Sequence, residues 1–379
     1  MIKIFEKDSP RFSEAYEKIR LAYLHENKEP AIVISDVNSY LSGEIPNLIP
    51  DDYFENVEVM SQFQIKKIKN HLERYDDDYI PVLFPWFGTG VVPSALGCKT
   101  IFNKKLDPAV GGAVIFKPED IKKLTFPDPY RDGLMPKVLK CIDYMRENYD
   151  CDVSFTDCQG PLNIAICLCG VENLFIWMYE YPQYVHEIME FCTETLIRWV
   201  KVQKKHTGSS IEAGAYPHCL ALPEGFGGVC ISDDDLTILS PHLYKEFVVP
   251  YNSMVLKAFG GGTLHFCGSA EHQLENLLNT EGLTGINNFC MGNIGQIVKM
   301  QKLFKNRLAI MACDFAPLDI EKYYTELIDA IDFKGVIISS FVVPMFALVG
   351  NNYENISRDR DQVSRQIFET LQRLIHAKK

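Results

Sequence analysis

The segment His265-Phe266-Cys267-Gly268 carries an imidazole and a thiol two residues apart. On a strand, residues i and i+2 point to one side, so the two groups converge. A neutral imidazole and a thiolate are both good zinc ligands, and a glycine at 268 lets the chain turn sharply into whatever follows. The same pair also fits a buried thiol beside a hydrogen-bonded histidine. Zinc calls for at least three protein ligands. Cys290 and Cys313 stand at the ends of the next two apolar runs. Cys290 is the preferred third ligand because its run follows directly in the chain and would lie alongside; Cys313 is the reserve. Cys167 and Cys169 are two apart in a helical segment and share no face, so they read as core. His218 and Cys219 are adjacent and diverge on an extended chain, so they make no joint site.

A second set of candidates is acidic. Asp233-Asp234-Asp235 precede Leu239-Ser240-Pro241, where Ser240 suits a helix cap and Pro241 the first helical position. Three adjacent carboxylates are as much at home in solvent as in a site. Their functional reading is acid–base work, a metal contact or substrate binding, with Asp233 and Asp234 as the catalytic candidates. Asp157 and Gln159, in Asp157-Cys158-Gln159-Gly160-Pro161, end a strand and open a helix. They serve either as caps for local backbone or as hydrogen-bonding groups for a substrate.

These groups need a frame. Apolar runs at 262–267, 284–290, 307–313 and 335–340 are each preceded by a segment of helical periodicity. Strands alternating with helices at that pace imply βα units and a parallel sheet. Strands are also expected at 31–36, 80–85 and 151–157, and helices at 60–75, 134–148, 162–169 and 182–206. Residues 85–133 are rich in Gly and Pro and read as loops. No linker divides the chain. It reads as one barrel domain, residues 81–379, with residues 1–80 packing as an N-terminal helical extension. The strands ending at Asp157, Cys267, Cys290, Cys313 and Ser340 should open on one face.

Composition narrows the function. With 47% hydrophobic and 23% charged residues over 379 positions, the chain can fill a large core and is not disordered. A net charge of -12 without any Lys/Arg block excludes a nucleic-acid binder. The N-terminus is charged within its first three residues and has no apolar h-region, and no run of about 18 apolar residues occurs, so no membrane span is expected. Twelve Cys inside apolar segments read as reduced thiols of a cytoplasmic protein.

Three ordered motifs resemble one family. Gly160-Pro161-Leu162-Asn163-Ile164-Ala165 followed by Gly170 is similar to the GP-x-x-x-A…G segment of the uroporphyrinogen decarboxylase superfamily. Asp233-Asp234 followed by Leu239-Ser240-Pro241, Tyr244, Phe247 and Pro250-Tyr251 resembles its LSP…Y…F…PY segment. His265-x-Cys267-Gly268 matches the zinc motif of its corrinoid-dependent methyltransferase branch. The resemblance covers roughly residues 80–375 and implies an α/β fold, a single (β/α)8 TIM barrel. Two departures stand out. Residues 1–60 contain nothing like the Arg-rich segment by which true decarboxylases bind substrate carboxylates. Ser339-Ser340-Phe341-Val342-Val343-Pro344 contains no Cys where the methyltransferases carry their last zinc ligand in a PGCG-like turn.

The resemblance implies methyl transfer from a methylcorrinoid, supplied by a partner protein, to a small-molecule thiol activated by zinc on His265, Cys267 and Cys290. Asp157 and Gln159 would bind substrate. Two rivals share the frame: a metal-free decarboxylase-like lyase using Asp233 or Asp234, and a ligand-binding barrel without activity. The sequence leaves a homodimer open.

Overall fold

The computed structural model describes residues 1–37, 41–208, 213–215 and 220–378. His218 and Cys219 lie outside the described residues. Eight strands frame the site: β1 Ala31–Ser35, β2 Val82–Leu83, β3 Asp152–Val153, β4 Val229–Ser232, β5 Gly262–Cys267, β6 Leu283–Phe289, β7 Ala309–Phe315 and β8 Val336–Phe341. Six of them form one parallel sheet in the order β4-β5-β6-β7-β8-β1. Strands β2 and β3 pair with each other, also in parallel. The chain beyond β3 meets β4 where Gly160 N–H donates to the Ser232 carbonyl (2.7 Å) and Ser232 N–H donates to that of Cys158 (2.9 Å). Asp157 and His265 therefore reach the same end of the sheet.

The C-terminal strands follow the sequence pattern to within two residues, and 262–267 coincides. The expected strands at 80–85 and 151–157 shrink to two residues each. Pro81 and Pro85 flank β2, and a proline has no N–H to extend a ladder. Within the stretch read as loops, Thr100–Asn103 and Leu106–Val110 form an antiparallel hairpin.

Residues 1–80 do not simply pack outside the sheet. All five side chains of β1 are buried, and the strand pairs with β8 from Ile337↔Ala31 to Phe341↔Ser35. The helix Pro10–Tyr23 packs at the opposite end from the site. There the Tyr23 hydroxyl meets Thr263 Oγ1 at 2.9 Å. Gly285 permits that approach, since a Cβ would come within 3.0 Å of the Tyr23 ring.

The free edge of β1 is closed by side chains. Ile34 N–H donates to Asp77 (2.7 Å) and Ile32 N–H to Asp78 (2.8 Å), while Asp78 N–H returns to the Ile32 carbonyl (2.8 Å). These carboxylates satisfy donors that a flanking strand would otherwise take. Asp77 in turn accepts from Arg11 (3.1 Å) and from His71 Nε2 (2.8 Å), and His71 Nδ1 donates to Asp36 (2.6 Å). Both ring nitrogens face carboxylates, which suits an imidazolium. Burial opposes that charge, but Asp77 and Asp36 outweigh it and lift His71 from 6.5 to about 10. No single helix among the described residues is long and apolar enough to cross a membrane. The helices Pro161–Cys169 and Val171–Glu180 reach that length only together and are bent by 103°.

Replacing Asp77 with Ala should cost about 3–5 kcal/mol in urea unfolding, because it strands a buried imidazolium and the Ile34 N–H. The folded-state value of His71 lies above the ordinary 6.5. Its contribution is therefore complete below pH 6.5 and lost as pH rises toward 10. The difference between wild type and His71→Gln, followed by urea melts across that range, should shrink with rising pH. A constant difference would refute the charged ring.

Candidate metal centre

Alternation along β5 sends Leu264 and Phe266, both fully buried, into the core behind the sheet and turns Thr263, His265 and Cys267 to the other side. Neighbouring strands supply a row in register with His265: Ser232 from β4 and Asn287 from β6. That register depends on a bulge. Gly262 pairs with Leu283 but Thr263 pairs with Gly285, so Thr284 is the extra residue. Its hydroxyl lies 2.7 Å from the Phe226 carbonyl and 3.0 Å from that of Gly262. Without the extra residue His265 would face Ile286, and a one-residue slip exchanges the two faces of a strand.

His265 Nδ1 is hydrogen-bonded to Asn287 Oδ1. An amide oxygen only accepts, so Nδ1 carries the proton and the neutral ring keeps its lone pair on Nε2. Nε2 stands 3.4 Å from Cys267 Sγ and 3.7 Å from Asp234 Oδ1. Asp234 Oδ1 is anchored by the Cys267 N–H at 2.7 Å. Among the described residues, one group of three His, Cys or carboxylate ligand atoms lies within 4.8 Å of one another: Asp234, His265 and Cys267. Gly268 then leaves the strand at φ 89°, a conformation that favours glycine.

Burial holds His265 below its ordinary value, although Asp234 and Asn287 pull the other way. Burial pushes the Cys267 thiol well above its ordinary value, and the Asp234 charge adds to the push. The protein alone thus presents a neutral imidazole and an undissociated thiol beside a carboxylate. A divalent cation reverses the thiol preference, because a coordinating thiol gives up its proton. One nitrogen, one sulfur and one oxygen donor, with the imidazole held by a hydrogen bond from behind, suit zinc.

The expected third ligand, Cys290, is not part of this group. It follows the last residue of β6, out of phase with Asn287 and Phe289. Its thiol faces Asp314 (3.2 Å) and the Tyr323 hydroxyl (3.6 Å). Cys313 is in phase, but Phe289 stands in register between it and Cys267. Two strand spacings, about 10 Å, separate the positions. Asp234 occupies the place expected for a cysteine.

The two acidic candidates part company. Asp233 donates its backbone N–H to the His265 carbonyl (2.8 Å), but its fully buried carboxylate turns to the helices Pro241–Phe247 and Val249–Ala258. There it accepts from the Tyr244 hydroxyl (2.7 Å) and Asn252 Nδ2 (2.8 Å). Burial raises it to about 7. Asp157 and Gln159 lie beside the row. Gln159 Nε2 donates to Asp157 (2.6 Å), Ser232 Oγ donates to its other oxygen (3.3 Å), and Asn163 Nδ2 donates to Gln159 Oε1 (2.8 Å). Burial, with the Asp234 charge adding to it, lifts Asp157 to about 6. Sequence reasoning missed Asn287, Ser232 and Asn163. A usable signal existed for Asn287, one of two adjacent asparagines between Ile286 and Phe289, one strand beyond His265.

A nitrogen–sulfur–oxygen cluster at the C-terminal ends of parallel strands gives this α/β protein a candidate metal centre. The model of the uroporphyrinogen decarboxylase (URO-D) family matches residues 51–311, and the chain belongs to that family. A methylated-thiol–coenzyme M methyltransferase of Methanosarcina mazei is 28% identical over 193 residues, 50% of this chain and 47% of that protein. A uroporphyrinogen decarboxylase of Carboxydothermus hydrogenoformans is 28% identical over 166 residues, 41% of this chain and 42% of that protein. The chain thus matches somewhat under half the length of these curated relatives. A methyltransferase structure from Methanosarcina mazei superposes with a TM-score of 0.68 at 15% identity, covering 94% of this chain and 98% of that one. It shares the fold.

The geometry gives the two aspartates opposite mutational signatures. Asp233→Ala should cost about 2–4 kcal/mol in urea unfolding, because buried Tyr244 and Asn252 lose their acceptor. Asp234→Ala, at a half-exposed carboxylate, should cost about 1 kcal/mol or less. Equal losses would contradict this division.

Proposed function

We propose that this chain is a cytoplasmic, zinc-dependent methyltransferase that passes a methyl group from a methylcorrinoid on a partner protein to a small thiol, on a closed (β/α)8 barrel. The observation that carries the reading is the cluster of Asp234 Oδ1, His265 Nε2 and Cys267 Sγ, with the imidazole lone pair turned inward. The kinship with a methyltransferase that handles methylated thiols supports it.

Zinc held there would bind the substrate sulfur and favour its thiolate at neutral pH. Asp234, His265 and Cys267 would hold the ion as three protein donors, a number that would leave room for a substrate sulfur. Asn287 keeps the imidazole aimed at the centre, and the Cys267 N–H keeps Asp234 in reach. Phe289 stands edge-on to His265 with ring centroids 5.7 Å apart, and Phe341 lies 4.7 Å beyond it. This apolar wall sheds water from one side of the sulfur, which strengthens it as a nucleophile. In the transfer, the thiolate pair forms the new sulfur–carbon bond, and the electron pair of the broken methyl bond stays with the donor.

Metal analysis and chelator competition test the reading. Wild type and Cys290→Ala should hold stoichiometric zinc, whereas Cys267→Ala and Asp234→Ala should lose it. Asn287→Ala should weaken zinc binding by about 10–100-fold. Methylcobalamin should lose its methyl group to an added thiol only with the zinc-loaded protein. A wild type that takes up no zinc, or that transfers methyl equally well without it, overturns the proposal.

A further inference from the structure

The wall beside the metal-type cluster is rich in acceptors. Ser232, abreast of His265, links to Asp157, which Gln159 and then Asn163 support from behind. Asn163 is 6% exposed, and its Oδ1 has no hydrogen-bond donor among the described residues. Among the described residues, the charges that act on Asp157, His265 and Cys267 are carboxylates: Asp234 on all three, and Asp314 on Cys267. The undescribed internal stretches 38–40, 209–212 and 216–219 contain no Lys or Arg.

Charge counting sharpens the point. A zinc ion with Asp234, Cys267 and a substrate thiolate sums to one negative charge, and an ionised Asp157 makes two. An anionic group on the substrate would add a third in a buried site, which is costly without a cation. A cationic group removes one instead. An ammonium also brings three N–H donors to a wall whose uncommitted amide atom, Asn163 Oδ1, is an acceptor.

We propose that Asp157, presented by Gln159 and Ser232 and backed by Asn163, binds the ammonium group of an aminothiol whose sulfur occupies the position at Asp234, His265 and Cys267. The proposal rests on the thiol-activating reading of that cluster and names its substrate class.

The test compares cysteamine, mercaptoethanol and mercaptopropionate as ligands of the zinc-loaded full chain by calorimetric titration, with zinc content measured on the same samples. Cysteamine should bind at least about tenfold tighter than mercaptopropionate. In Asp157→Asn, an isosteric change, the preference should fall to within about threefold while zinc content stays unchanged. Cys290→Ala, whose thiol faces Asp314 outside this wall, should keep the order of the three ligands and controls for general damage to the fold. Mercaptopropionate binding as tightly as cysteamine, or a preference that survives Asp157→Asn, overturns the amine site. If the protein holds no zinc, the metal reading fails by itself. An Asp157-dependent preference for cysteamine would then still support the amine site, and its absence would overturn that too.

Discussion

One extra residue in β6 sets up the centre. The bulge at Thr284 lets β5 and β6 run on with His265 opposite Asn287, and the unbroken register from β4 brings Ser232 to the other flank. Parallel pairing turns register into chemistry, because residues abreast project to the same side. The imidazole then has one neighbour to accept its Nδ1 proton and another that leads on to Asp157. Tying Thr284 to two carbonyls at the far end of the strand fixes this arrangement well away from the groups it positions.

The carboxylates fall into two kinds, told apart by where they stand and what they hold. Asp314 is surrounded by donors: Gly292 N–H (2.7 Å), Phe315 N–H (3.1 Å), the hydroxyls of Tyr353 (3.0 Å) and Tyr323 (3.2 Å), and the Cys290 thiol (3.2 Å). Asp77 has Ile34, Arg11 and His71, and Asp233 has Tyr244 and Asn252. These groups hold elements together, which is why Cys290 serves the frame and not the centre. Asp234 and Asp157 stand where the strand ends meet, and the balance of charge around them is negative. An excess of negative charge at such a place is a cost that a bound cation relieves.

The same division explains the departure from the family pattern. The last strand ends in Phe341 with Val342 buried behind it, so that corner supplies hydrocarbon where the methyltransferases have a cysteine. The nitrogen–sulfur–oxygen group here draws on the loop after β4 instead. An oxygen donor in place of a second thiolate would make a metal site there harder, at the same count of one anionic charge per acidic donor.

Much was readable from local pattern alone. The run 262–267 is a strand because its residues alternate in size and environment and are bounded by Gly261 and Gly268. That alternation also dictates that His265 and Cys267 share a side. The βα rhythm of the C-terminal half and the family motifs likewise needed no coordinates. What the sequence left open were questions of phase and partner across strands. Whether Cys290, Cys313 or an aspartate completes the group depends on a one-residue bulge and on the ring of Phe289 between two thiols. Which of two adjacent aspartates faces the histidine depends on where the following helices put Tyr244 and Asn252. Spacing along one strand is set by backbone geometry, whereas spacing between strands is set by packing and register, and only the folded chain fixes those.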